Sequence, residues 1–180
     1  MEGVQRHKIM MTTYNFSAGP GVMPEEVITQ IKQEFEKNEQ THMSIIEISH
    51  RSKQFQTIVT DAENKLRQLM HISDEYAVVF LQGGGSTQFE MMPLNFATNH
   101  HEIAFLDSGN FAQKAVEAAR ELGNKVTTLN STKNMYYQKL PLLPDDFDAT
   151  TYDYLHIVTN NTIEGATFHQ NNLPKTTGRL

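Results

Sequence analysis

Gln82-Gly83-Gly84-Gly85-Ser86-Thr87 joins a short apolar run to a stretch with helical patterning. Glycines let backbone N–H groups approach an anion closely, and a helix start adds free N–H groups and a favourable dipole. Phosphate is the natural guest of such a turn. The segment has neither the Gly-Lys-Ser/Thr of a Walker loop nor the spacing G-x-G-x-x-G, and a plain tight turn uses the same residues. Ser49-His50-Arg51-Ser52 is a second cluster. Arginine grips a carboxylate or phosphate through two parallel hydrogen bonds, and histidine adds a donor beside it. The alternative there is a solvated helix entry that Ser52 caps. Phe111 follows a glycine turn, where its ring can stack on a planar cofactor or simply pack in the core. Asn160, Asn161 and Thr162 can hydrogen-bond a ligand or satisfy the backbone of a turn. The eight histidines make no case for a metal: there is no His-Glu-x-x-His, and His100 and His101 are adjacent and point different ways. No Ser/His/Asp set can be assembled from spacing, because triads are defined by geometry.

The elements that must position these clusters are legible from periodicity. Pro24, Glu25 and Glu26 suit a helix start, and Val27, Ile31 and Phe35 share one face, which predicts a helix over residues 24–37. Ser52 is the expected N-cap of a second helix, along which Phe55, Ile58, Val59, Ala62, Leu66 and Leu69 recur at helical spacing. Residues 76–81 form a nearly continuous apolar run, as in a strand buried on both faces. A helix capped by Ser86 or Thr87 is expected to reach Ala97, with Pro93 ending or kinking it. Residues 103–106 are the next strand, followed by the turn Asp107-Ser108-Gly109. A helix then turns Ala115, Ala119 and Leu122 inward and stops at Gly123. Further strands are expected at 126–129 and 154–159, separated by a less legible polar stretch over 130–151. This alternation implies right-handed crossovers and an α/β fold with a mainly parallel sheet flanked by helices. Ligands of such sheets sit at the carboxyl ends of the strands, where the turns after residues 82, 107 and 159 fall.

Composition narrows the function classes. The 180 residues are 38% hydrophobic and 20% charged, a globular rather than disordered balance. A net charge of −6 argues against a general nucleic-acid binder. The absence of cysteine excludes disulfides and thiolate metal sites and fits a reducing compartment. No apolar run approaches the roughly 20 residues that span a bilayer, so no membrane partner is expected. Residues 1–13 read as a loose leader and residues 14–24 as an N-terminal segment, and no proline- or glycine-rich linker divides residues 25–180. A cytoplasmic protein is the default expectation.

Taken together, several blocks resemble one family. Asn15-Phe16-Ser17-Ala18-Gly19-Pro20-Gly21 with Met23-Pro24-Glu25-Glu26-Val27 is similar to the N-terminal signature of the phosphoserine aminotransferases. Ser49-His50-Arg51-Ser52-Lys53-Gln54-Phe55 is similar to a second block of that family. So is the run from Phe80 to Phe89, with Pro93-Leu94-Asn95 after it. Asn160-Asn161-Thr162-Ile163-Glu164-Gly165 resembles the family's Asn-x-Thr-Ile-x-Gly. The blocks occur in family order from about Tyr14 onward.

The resemblance implies the aspartate-aminotransferase-like fold of enzymes dependent on pyridoxal 5'-phosphate (PLP), here the first half of the large domain, in a homodimer. It implies transamination of 3-phosphohydroxypyruvate by L-glutamate to O-phosphoserine and 2-oxoglutarate, a step of serine synthesis and, in many bacteria, of pyridoxine synthesis. Carried over by residue, Gly85 and Ser86 hold the cofactor phosphate, Phe111 stacks on its ring and Thr162 meets its ring hydroxyl region. His50 and Arg51 bind the acidic groups of the substrate, in the neighbouring subunit's site. Phe111 stands where the family usually has tryptophan, and Ala18 where some relatives have serine. No lysine here, Lys114, Lys125 and Lys175 included, matches the context of the family's Schiff-base lysine, so no catalytic residue is assigned and no turnover is expected of the chain alone. The alternative is a non-catalytic fragment that binds phosphate or PLP, or that only dimerises.

Overall fold

The computed structural model describes residues 13–37 and 42–179, so the expected leader lies, apart from Thr13, outside the described residues. The chain divides into two compact units, Met1–Val79 and Phe80–Leu180. In the first, helix α1 (Glu25–Glu36) begins after Pro24 with two acidic residues in its first turn. Helix α2 (Lys53–Met70) starts where expected, the Ser52 side chain accepting a hydrogen bond from the Phe55 N–H at 3.2 Å. Neither helix has a fully buried residue, and Val27, Ile31, Phe35 and Leu69 of their apolar faces are exposed.

The second unit is built on three parallel strands, β1 (Glu102–Asp107), β2 (Lys125–Ser131) and β3 (Tyr154–His156), in the order β2-β1-β3. Ile103 pairs with Val126 on one side and Tyr154 on the other. The central strand is apolar on both faces because both faces are covered. Ile103 and Phe105 pack with Ala115, Val116 and Ala119 of helix α4 (Asn110–Glu121). Ala104 and Leu106 pack with Leu155 and, on the same side, Leu129, Leu143, Phe147 and Ile157. The polar stretch that periodicity left unread thus supplies the second cover. Each buried Ile, Leu or Phe contributes about 1.5–3 kcal/mol. The alanines of α4 let its axis lie close to β1.

Local signals close the elements. Gly123, at φ +83°, ends α4 as expected: its N–H donates to Arg120 O at 2.9 Å and the Asn124 N–H to Ala119 O at 3.1 Å. At the amino end of the sheet, Asp153 accepts from the Asn99 and His100 N–H groups, each at 3.0 Å. Burial alone would raise the Asp153 pKa, but backbone N–H groups of residues 99–102 outweigh it and hold the carboxyl below its ordinary value.

Leu122, expected to turn inward, is exposed because it is the C-cap residue beyond the last turn of α4, and three further expectations need correction. Residues 76–81 form no strand: Tyr76, Val79, Phe80 and Leu81 are exposed, and no described strand pairs with them. An apolar run meets only half of what a strand requires. Without a neighbour no ladder forms, and the bonds of Tyr76 go instead to Ser73 O and to the Arg67 guanidinium. The expected strand 154–159 stops at His156, because its ladder with β1 ends at the Phe105–His156 pair. Residues 160–161 belong instead to a small antiparallel hairpin of β4 (Asn160–Asn161) and β5 (Ala166–Thr167). Finally, the N-cap position of helix α3 (Gly84–Phe96) is Gly83 rather than Ser86 or Thr87, with no side-chain cap bond, and Gly84 and Gly85 lie inside the helix. Pro93 sits inside α3, and the helix ends one turn later.

Candidate functional site

The turn before α3 runs through left-handed backbone at Gly83 (φ +99°) and Gly84 (φ +62°). Thr87 folds back on it, its hydroxyl donating to Gly83 O at 2.8 Å. A side chain at position 83 would begin 2.5 Å from that hydroxyl oxygen, so the turn accepts only glycine there. Beside Gly84 and Gly85, by contrast, a Cβ would meet nothing within 4 Å. No side chain among the described residues caps this start, and Gly85 and Ser86 are exposed. The first-turn N–H groups therefore have no intrahelical partner, at an exposed turn, an arrangement suited to an anion.

The carboxyl ends of β1 and β2 carry the remaining polar groups. Asp107, which ends β1, is buried and accepts from Ser131 Oγ at 2.7 Å, Tyr137 Oη at 3.3 Å and Gln113 Nε2 at 3.4 Å. Its Oδ1 has no hydrogen-bond partner among the described residues. Tyr137 also accepts from Gln113 Nε2 at 2.9 Å. Burial, then the charge of Asp107, pushes the Tyr137 phenol up to about 12, so it stays protonated and donates.

Phe111 lies in the first turn of α4, half-buried, with the Lys114 ammonium 5.4 Å from its ring centre. Thr162 is exposed in the hairpin turn directly after β4. Two bonds tie that hairpin to the β1–α4 loop. Asn161 Nδ2 donates to Ser108 Oγ at 2.8 Å, both residues fully buried, and the Asn110 N–H donates to Glu164 Oε1 at 2.8 Å. Gly85, Ser86, Phe111 and Thr162 thus all belong to the second unit, whereas His50 and Arg51 sit exposed in a turn of the first. A concavity between α1 and α2 is lined by Glu25, Glu26 and Asp61 among others, a poor host for phosphate.

Sequence reading passed over Asp107, Gln113, Tyr137 and the structural part of Glu164. Glu164 stood inside a block read only for its resemblance. Of the partners of Asp107, Gln113 is local, whereas Ser131 and Tyr137 come from 24 and 30 residues away.

A family model, aminotransferase class-V, matches residues 13–177. The phosphoserine aminotransferase of Leuconostoc mesenteroides is 66% identical over 170 residues, covering 94% of this chain and 47% of that protein. That of Lactobacillus helveticus is 50% identical over 159 residues, 88% of this chain and 43% of its own. Among solved structures, the phosphoserine aminotransferase of Bacillus circulans subsp. alkalophilus superposes with a TM-score of 0.82 at 34% identity, over 93% of this chain and 46% of that one. The PLP-bound phosphoserine aminotransferase of Trichomonas vaginalis gives 0.77 at 28% identity, over 93% and 46%. The chain spans about half the length of the curated relatives it matches. With a glycine-capped helix start, a parallel sheet of matching topology and a family model that extends over both units, the chain belongs to the class-V aminotransferases.

Proposed function

We propose that this chain carries the phosphate cradle, ring platform and substrate-acid contacts of a PLP-dependent enzyme that transfers the amino group of L-glutamate to 3-phosphohydroxypyruvate, giving O-phosphoserine and 2-oxoglutarate. The observation that carries the reading is the uncapped start of α3, with open space beside Gly84 and Gly85. Those residues fit the phosphate of PLP. Gly85 and Ser86 bind it through backbone N–H groups, and the helix dipole adds to the attraction. Phe111 offers a ring face for stacking, and Thr162 a hydroxyl at a strand end. His50 and Arg51 pair with the acidic groups of the substrate as charged, exposed donors. When bound, PLP supplies an electron sink for the amino-group exchange. The protein's part is to fix the cofactor's phosphate and plane and to orient a dianionic substrate against it.

In this reading residues 25–180 are the first half of the PLP-binding domain of a cytoplasmic homodimer in serine synthesis. Among the described residues no helix is long and apolar enough to cross a membrane. The exposed apolar residues of α1 and α2 support association with further protein surface. Because the chain spans about half of its relatives, a second reading is that it binds phosphate or PLP without turnover. Titration of the chain with PLP, followed by absorbance and competed with inorganic phosphate, tests the cradle. Saturable binding, competed by phosphate and weakened about tenfold by Ser86→Glu through charge repulsion, is expected. Binding indifferent to both would remove the reading. Borohydride reduction then separates the two readings: label fixed at one lysine together with formation of phosphoserine marks an active enzyme, and saturable binding without either marks the second.

A further inference from the structure

We propose that Glu164 is a positioning residue, capping α4 from the neighbouring hairpin so that Phe111 and Thr162 are held as one piece. The inference rests on the cofactor-facing reading of those two residues given above.

The N-cap position of α4 is Gly109, which has no side chain to cap the helix. Such positions favour Ser, Thr, Asp or Asn, whose oxygen takes up a first-turn N–H. Here the oxygen comes from elsewhere in the chain. The turn over residues 162–165 closes with the Gly165 N–H on Asn161 O at 2.9 Å, with Gly165 at φ +72°. That closure returns Glu164 toward the sheet, where Oε1 accepts the Asn110 N–H at 2.8 Å. A carboxylate at the positive end of a helix makes a charge-assisted bond, stronger than a hydroxyl cap would give.

The other carboxylate oxygen explains the glycine. A Cβ on residue 109 would begin 2.5 Å from Glu164 Oε2 and 2.8 Å from Asn161 Oδ1. Both oxygens are buried without hydrogen-bond partners among the described residues and pack against the bare Gly109 Cα. Asn161 completes the join from its amide side, donating to Ser108 Oγ at 2.8 Å. Ser108, Gly109 and Asn110 are therefore each held by the hairpin. Phe111 is the next residue after this clamp, and Thr162 lies between the two clamping side chains. Glu164 touches neither cofactor nor substrate in this scheme. It acts through the backbone that carries Phe111.

Amide hydrogen exchange on the chain, read residue by residue, tests the cap without any ligand. Glu164→Ala is expected to speed exchange at Asn110 about tenfold while the β1 amides keep their protection. Glu164→Gln, which retains an acceptor, should stay near the parent. Where the alanine variant fails to fold, Glu164→Asp serves, since one methylene less withdraws the oxygen from Asn110. Unchanged Asn110 exchange in the truncated variants, or equal loss in β1, overturns the proposal. A second arm separates positioning from general support. Glu164→Ala should weaken PLP binding in the parent, yet have little further effect in a Phe111→Ala background. Equal losses in both backgrounds also overturn it. Failure of the parent to bind PLP counts against the cofactor reading alone, and the exchange arm then decides for or against the cap.

Discussion

Asp107 shows what a single residue demands of its surroundings. A buried carboxylate must be hydrogen-bonded, and three donors reach this one from Gln113, Ser131 and Tyr137. Tyr137→Phe removes one donor to Asp107 and the acceptor of Gln113, and adds no strain. A loss of about 1 kcal/mol in urea-induced unfolding is expected, and an unchanged midpoint would show that the phenol contributes nothing. Gln113 lies six residues after Asp107, but Ser131 and Tyr137 stand 24 and 30 residues away, so the full network forms only once the chain has folded. The glycine turn is different, since its glycines mark a tight turn before a helix from sequence alone, and Gly83 and Gly84 adopt left-handed backbone there. What stayed hidden was that Thr87 folds back onto Gly83 and leaves the helix start uncapped.

Among the elements, β1, β2 and most helix ends follow the sequence, whereas the cap of α3 and the strand expected over residues 76–81 do not. Ser52 and Gly123 mark helix ends through bonds to residues a few positions away, which any window of sequence contains. Gly123→Ala is therefore expected to destabilise the second unit by about 1 kcal/mol, since alanine resists φ near +83°. Thermal unfolding would show it as a drop of a few degrees, and an unaltered midpoint would mean that the turn relaxes without strain. The strand expected over residues 76–81 failed for the opposite reason. Its composition matched that of β1, but β1 has parallel neighbours on both edges and these residues have none among the described strands. Apolarity predicts that a segment will be buried. It does not say what will bury it.

Over the whole molecule, the groups whose protonation differs most between folded and unfolded chain shape the stability curve. His156 stands on β3 with its ring stacked on Phe105 at 4.9 Å and Phe89 edge-on at 6.3 Å. Its Nε2 is buried without a partner among the described residues. Burial depresses its pKa from 6.5 to about 4, because no carboxylate offsets the cost of charging it there. Between those values the unfolded chain binds a proton that the folded chain refuses. Stability therefore falls as pH drops from 6.5 toward 4, by up to ~3 kcal/mol at 1.36 kcal/mol per unit. Asp153 adds to the acid side, its depressed carboxyl giving stability that is lost once pH falls through its folded pKa. At the other end, Tyr137 and Tyr154 are pushed up to about 12, so stability starts to fall above pH 10, where the unfolded phenols ionise first. These groups give a plateau from about pH 7 to 10, and His156 contributes to its acid shoulder. Urea titrations at half-unit pH steps should show that shoulder in the parent. His156→Phe, which keeps the stack on Phe105 and removes the orphan nitrogen, should flatten it between pH 4.5 and 6.5. A variant whose stability still declines by the same amount over that interval would place the proton on another group and leave His156 with a packing role only.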